Sequence, residues 1–83
     1  MYQEYASVEN VEAGVSELRS VAIEASNMGA AVGYARAIVD GIKIVIASYV
    51  DTIEYYAVDN FGEERYTVDM GEFVYHLESA LLQ

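Results

Sequence analysis

The sequence predicts an α+β domain in which a four-stranded antiparallel sheet carries an N-terminal and a C-terminal helix on one face, in the order α-β-β-β-β-α. Three patterns predict it. Apolar residues recur at three- and four-residue steps between Val8 and Ala25. Asp40-Gly41 stands between the β-branched Val39 and Ile42, which suits a type I′ hairpin turn. Asp69, with Glu72 three residues on, opens a second helical pattern as a capping box does.

The first helix runs from residue 8 or 10 to residue 26. Val8, Val11, Val15, Leu18, Ala22 and Ala25 fall in one stripe, and Glu9, Glu12, Glu17 and Glu24 lie opposite. Ser7 and Asn10 are both N-cap candidates, and Glu9 and Glu12 complement the positive end of the helix dipole. Gly14 weakens the interior, and Asn27, Met28 and Gly29 supply the stop. Residues 30–37 are rich in alanine and suit either a continued helix or a strand; the Asp-Gly turn decides for strand. Pairing Val39 with Ile42 puts Ala35, Ala37 and Val39 on one face with Ile42, Ile44 and Ile46. Val32, Tyr34, Arg36 and Ile38 then share the other face with Lys43, Val45, Ala47 and Tyr49.

A third strand is expected over 53–58 and a fourth over 65–68, joined by the turn at 59–63. The closing helix reaches residue 82 and buries Phe73, Val74, Leu77, Ala80 and Leu81. Tyr55, Tyr66 and Tyr75 read as core or rim residues of the sheet. Tyr2 and Tyr5 lie in a segment that is either loose or adds to a sheet edge. With both helices on one side, the other face of the sheet is left bare. It shows Val32, Tyr34, Ile38, Val45, Tyr49 and Tyr56, the composition of a contact surface.

Eighty-three residues fit one domain, 1–83, which buries about 60–65% of its unfolded surface. There is no cysteine, so neither a disulfide nor a thiolate zinc site staples it, and packing must hold it together. The opening residues lack the positive start and apolar run of a signal peptide. The apolar stretch at 42–50 contains Lys43 and is too short to span a bilayer, so a cytoplasmic location is expected.

Fourteen Asp and Glu against four Lys and Arg give a net charge of −10. That sign opposes direct binding of nucleic acid and of anionic membrane surfaces, and it favours a basic protein partner. Solubility alone also accounts for an acidic surface.

Catalytic chemistry finds little purchase. His76 is the one histidine, and Ser79 near it has no nucleophile elbow. With no cysteine and one histidine, neither a transition-metal site nor any other cofactor is expected. Residues 59–64 lack the ligand spacing of a calcium loop, so a hairpin turn explains them better. Gly29 and Gly33 stand apart from any Lys-Ser/Thr that would make a phosphate loop. The chain reads as a binding protein rather than an enzyme.

From Asp51 to Glu78 the acids Asp51, Glu54, Asp59, Glu63, Glu64, Asp69, Glu72 and Glu78 are interrupted by a single Lys or Arg, Arg65. Carboxylates two apart on a strand or four apart on a helix sit roughly 5–7 Å from each other, close to the phosphate spacing of a nucleic acid. Those acids other than Glu78, with Tyr34, Tyr49 and Tyr56, are the expected partner-binding residues.

In size, acidity, lack of cysteine and mixed α/β order, the whole chain resembles the small phage-encoded inhibitors of host defence, anti-CRISPR proteins and other DNA mimics. The resemblance implies a stoichiometric inhibitor in the bacterial cytoplasm that blocks the nucleic-acid-binding site of a basic effector. It carries over no individual residue. Two alternatives share the same surface physics: an immunity protein or antitoxin neutralising a basic toxin, and a structural homodimer formed through the bare sheet face.

Overall fold

The computed structural model describes residues 3–5, 11–29 and 31–81. Its elements are β1 (Gln3–Tyr5), α1 (Val11–Asn27), β2 (Gly33–Val39), β3 (Ile42–Ser48), β4 (Ile53–Val58), β5 (Glu64–Thr67) and α2 (Met70–Leu81). Strands β2 to β5 form the antiparallel meander that the sequence predicts, and both helices pack on one side of it. The structure adds a strand to that plan. β1 pairs in parallel with β2 at the sheet edge, Glu4 opposite Ile38, and α1 provides the crossover that a parallel pair requires. Ser7, Val8, Glu9 and Asn10, like Tyr2, Ala30 and Leu82, lie outside the described residues.

The hairpin between β2 and β3 turns on Asp40 (φ 49°) and Gly41 (φ 85°), both left-handed as a type I′ turn demands. Val39 therefore pairs with Ile42, and the inward row alternates as expected: Ala35, Ala37 and Val39 beside Ile42, Ile44 and Ile46, all buried. α1 lays Val11, Val15, Leu18 and Ala22 on this row, and α2 adds Phe73, Val74 and Leu77. Phe73 packs on Tyr55 with ring centroids 5.3 Å apart.

Helix and sheet meet most closely over β2, where the inward residues are small. A Cβ on Gly33 would lie 2.0 Å from the Ala22 carbonyl oxygen and 2.5 Å from the Ser26 nitrogen. Gly33, Ala35 and Ala37 thus form a shallow floor for α1. This is why an alanine-rich segment, a good helix former in isolation, is a strand here.

Asp69 caps α2, its Oδ1 accepting the Glu72 N–H at 3.1 Å and its carbonyl the Phe73 N–H at 3.0 Å. The reciprocal half of the capping box is replaced. The Asp69 N–H donates to Thr67 Oγ1 at 3.1 Å, while Glu72 turns toward His76. Four details depart from the sequence reading. Ala80 is exposed, Leu81 only partly covers the core, β5 begins and ends one residue earlier, and Tyr66 and Tyr75 are exposed. Ala80 lines a hollow beside Ile42 and Ala57 instead of filling the core.

Candidate functional site

The face of the sheet away from the helices is open along β2 to β5. Strand register sets its rows. Tyr34, Ala47 and Glu54 form one, Arg36, Val45, Tyr56 and Tyr66 the next, and Ile38, Lys43, Val58 and Glu64 the third. Alternation along each strand drives these residues outward once Ile44, Ile46 and Tyr55 are committed to the core.

Four tyrosines gather around Glu54. Tyr56 Oη donates to Glu54 Oε1 in a short hydrogen bond, and Tyr66 Oη donates to Oε2 at 3.0 Å. The Tyr56 and Tyr66 rings lie 5.0 Å apart, tilted by 50°. Tyr49 lies close to both Glu54 and Tyr34. Ala47, between Tyr34 and Glu54 in the register, is only 1% exposed although it points to the open side. The cluster is therefore a packed surface layer and not a set of loose side chains.

The electrostatics follow from the contacts. Hydrogen bonds to Glu54, that from Tyr56 first and that from Tyr66 behind it, hold its carboxyl below the ordinary range against the opposing push of desolvation. The Tyr56 phenol is pushed up to about 12, first by its bond to Glu54 and then by desolvation. Tyr66 rises for the same leading reason, whereas Tyr49 rises mainly through burial, with the Glu54 charge second. A carboxylate held ionised by two phenols is a weak proton acceptor. The arrangement suits recognition by rigid aromatic surface more than proton transfer.

Arg36 and Lys43 bring the cations of this face, and the Arg36 guanidinium sits 5.2 Å from the Tyr34 ring centroid. Against them stand Glu54 and Glu64, so the open face of β2–β5 balances two positive and two negative residues. The rest of the chain holds the other twelve acids and only Arg19 and Arg65.

The expected partner-binding acids do not share one plane. Asp51 and Asp69 line an open groove of about 1070 Å³ where the β3–β4 turn meets the end of α1 and the start of α2. Asp59 and Glu63 lie at the opposite end of β4, beside Arg65 and His76 around a hollow of about 130 Å³. Glu54 and Glu64 are on the open face, and Glu72 is on α2.

Several of these acids have structural tasks. Asp59 Oδ1 accepts the N–H groups of Phe61 and Glu63, both at 2.9 Å, and so shapes the β4–β5 turn. Asp69 caps α2. Glu63 pairs with Arg65 at 2.9 Å, and Glu72 Oε1 lies 3.5 Å from His76 Nε2. Asp51 and Glu64 are exposed and make no ion pair with another described residue.

Of the expected tyrosines, Tyr34, Tyr49 and Tyr56 do share one site. Sequence reading missed Tyr66, Arg36 and Lys43 as members of it. The two cations were on the right face by alternation, and their signal was the charge balance of that face. Tyr66 joins only through its register opposite Tyr56.

Among the described residues no three His, Asp or Glu side chains converge as a metal site, and no helix is long and apolar enough to cross a membrane. No family model, no curated protein and no solved structure matches the chain.

Proposed function

We propose that the chain is a stoichiometric inhibitor that occupies the nucleic-acid-binding surface of a basic protein. The observation that supports this reading is the unneutralised acid outside the open face of β2–β5, twelve carboxylates against two cations. One Arg/Lys–carboxylate ion pair, Arg65–Glu63, is formed among the described residues. Carboxylates left without internal partners attract Lys and Arg of a target and speed the encounter.

Asp51 and Asp69 lie at one end of the sheet and Asp59 and Glu63 at the other, so a contact through these acids engages one end at a time. Asp51 represents the first end and Glu63, whose exposed pair with Arg65 a target cation would displace, the second, and neutralising either leaves every turn and cap in place.

The test is affinity capture of a basic protein from bacterial lysate, with duplex DNA and single-stranded RNA as competitors. The captured protein should be displaced by one of the nucleic acids and by salt, since screening shortens from about 10 Å at 0.1 M to about 3 Å at 1 M. Asp51→Asn or Glu63→Gln should abolish capture. Capture that resists both competitors and high salt would overturn the proposal.

A further inference from the structure

The open face of β2–β5 carries as many cations as acids, and its charges are sorted. Arg36 and Lys43 lie on β2 and β3, while Glu54 and Glu64 lie on β4 and β5. The β2–β3 half carries the two cations and the β4–β5 half two acids, with Val45 and Tyr56 between them, and Glu4 of β1 takes the edge position beside Ile38. A basic partner gains no net attraction from a balanced face, and an acidic partner is repelled by the rest of the body. A face whose two halves complement each other is self-complementary under a two-fold rotation.

We propose that this face is the interface of a two-fold dimer of the chain. The rotation axis runs along the strands between β3 and β4. It lays β2 of one copy over β5 of the other and β3 over β4, with the relative rotation of about 30° that twisted sheets impose. Val45 then meets Tyr56, Arg36 reaches the Tyr66 hydroxyl bonded to Glu54, and Lys43 approaches Glu64.

The dimensions agree. Strands of seven, seven, six and four residues, rising about 3.3 Å per residue and spaced about 4.8 Å apart, make a face of roughly 380 Å², or about 760 Å² for the pair before side-chain relief is added. That lies below the bound of about 1,000 Å² for stable interfaces, so the dimer is weak, concentration-dependent and not obligate. Its packed tyrosines lose little side-chain freedom on contact, which offsets the small area. The charge repulsion between two bodies of −10 acts mostly across distances beyond the Debye length of about 8 Å at physiological salt.

Charge exchange tests the geometry. Lys43→Glu and Glu64→Lys each alter an exposed residue that has no ion pair with another described residue. In the two-fold arrangement each variant alone sets like charges against each other twice, so self-association should weaken by about tenfold or more. An equimolar mixture of the two sets opposite charges together at both places and should restore a one-to-one heterodimer. Sedimentation velocity measures all three, with the circular dichroism of each variant matching wild type as the folding control. A wild-type chain that stays monomeric at high concentration overturns the proposal. So do single variants that dimerise as well as wild type, and a mixture that does not associate.

Discussion

Gly33→Ala is the sharpest test of how α1 sits on the sheet. The added methyl would enter 2.0 Å from the Ala22 carbonyl oxygen and 2.5 Å from the Ser26 nitrogen. These two atoms belong to one i→i+4 step of the helix ladder, so the methyl intrudes on a backbone hydrogen bond as well as on packing. Both neighbours are backbone, which cannot rotate aside. Either α1 withdraws by about 1 Å or the bond opens.

Withdrawal by that amount forfeits a quarter to a half of the dispersion energy of each contact it stretches, and Leu18 and Ala22, both buried, lie on that seam. Overpacking of this kind costs about 1–3 kcal/mol, and loss of the hydrogen bond adds about 1 kcal/mol. The total of about 2–4 kcal/mol is a large share of the roughly 4–12 kcal/mol expected for a domain of this length.

At about 4–8 °C per kcal/mol, the melting temperature should fall by at least about 10 °C. Thermal and urea unfolding followed by circular dichroism measure it. Gly29→Ala is the control. Its φ is 99° and nothing lies within 4 Å of the added methyl, so only backbone strain of about 1–2 kcal/mol applies. A Gly33→Ala protein that melts at or above the Gly29→Ala temperature refutes the close approach of α1 to β2.

Two further outcomes follow from the hydrogen bonds. Asp69→Ala should cost about 1 kcal/mol through loss of the α2 cap, while Glu72→Gln should change stability by no more than a few tenths, because Thr67 already satisfies the Asp69 N–H; urea midpoints compare them. Titration of the Glu54 cluster has a sign at each end of the pH scale. Glu54 is more acidic folded than unfolded, so its stabilisation holds above the ordinary carboxyl range and is lost as pH falls through it. Tyr56 is less acidic folded, so its stabilisation holds below pH 10.0 and is lost as pH rises toward about 12. Phenolate absorbance should show Tyr56 ionising well after ordinary tyrosines, and Glu54→Gln should return it toward the normal range. A single ordinary titration for all eight tyrosines would contradict the cluster.

Much of the fold was legible because the signals were local. The Asp40-Gly41 turn fixes the register of β2 and β3, and with it which residues of both strands face the core. The stripe of α1 and the Asp69 cap of α2 are likewise set within a few residues. β1 was not legible as a parallel strand. Three residues carry no periodicity, and their pairing to Ala37, Ile38 and Val39 depends on a crossover made by α1. The site divided in the same way. Tyr34, Tyr49 and Tyr56 could be placed on the bare face from alternation alone, but Tyr66 belongs to a strand whose register passes through a five-residue turn.

The sequence by itself determined the α+β class, the order of the antiparallel strands, the buried stripes and the acid excess, since periodicity, turn chemistry and charge are properties of neighbouring residues. Tertiary structure alone decided where the charge lies. It tied Glu54 to the tyrosines, used Asp59 and Asp69 to hold a turn and a cap, and set Asp51 and Glu63 at opposite ends of the sheet. The reason is that strand pairing brings residues far apart in the chain within about 5 Å and sends the two turns of β4 to opposite ends, which linear spacing cannot express.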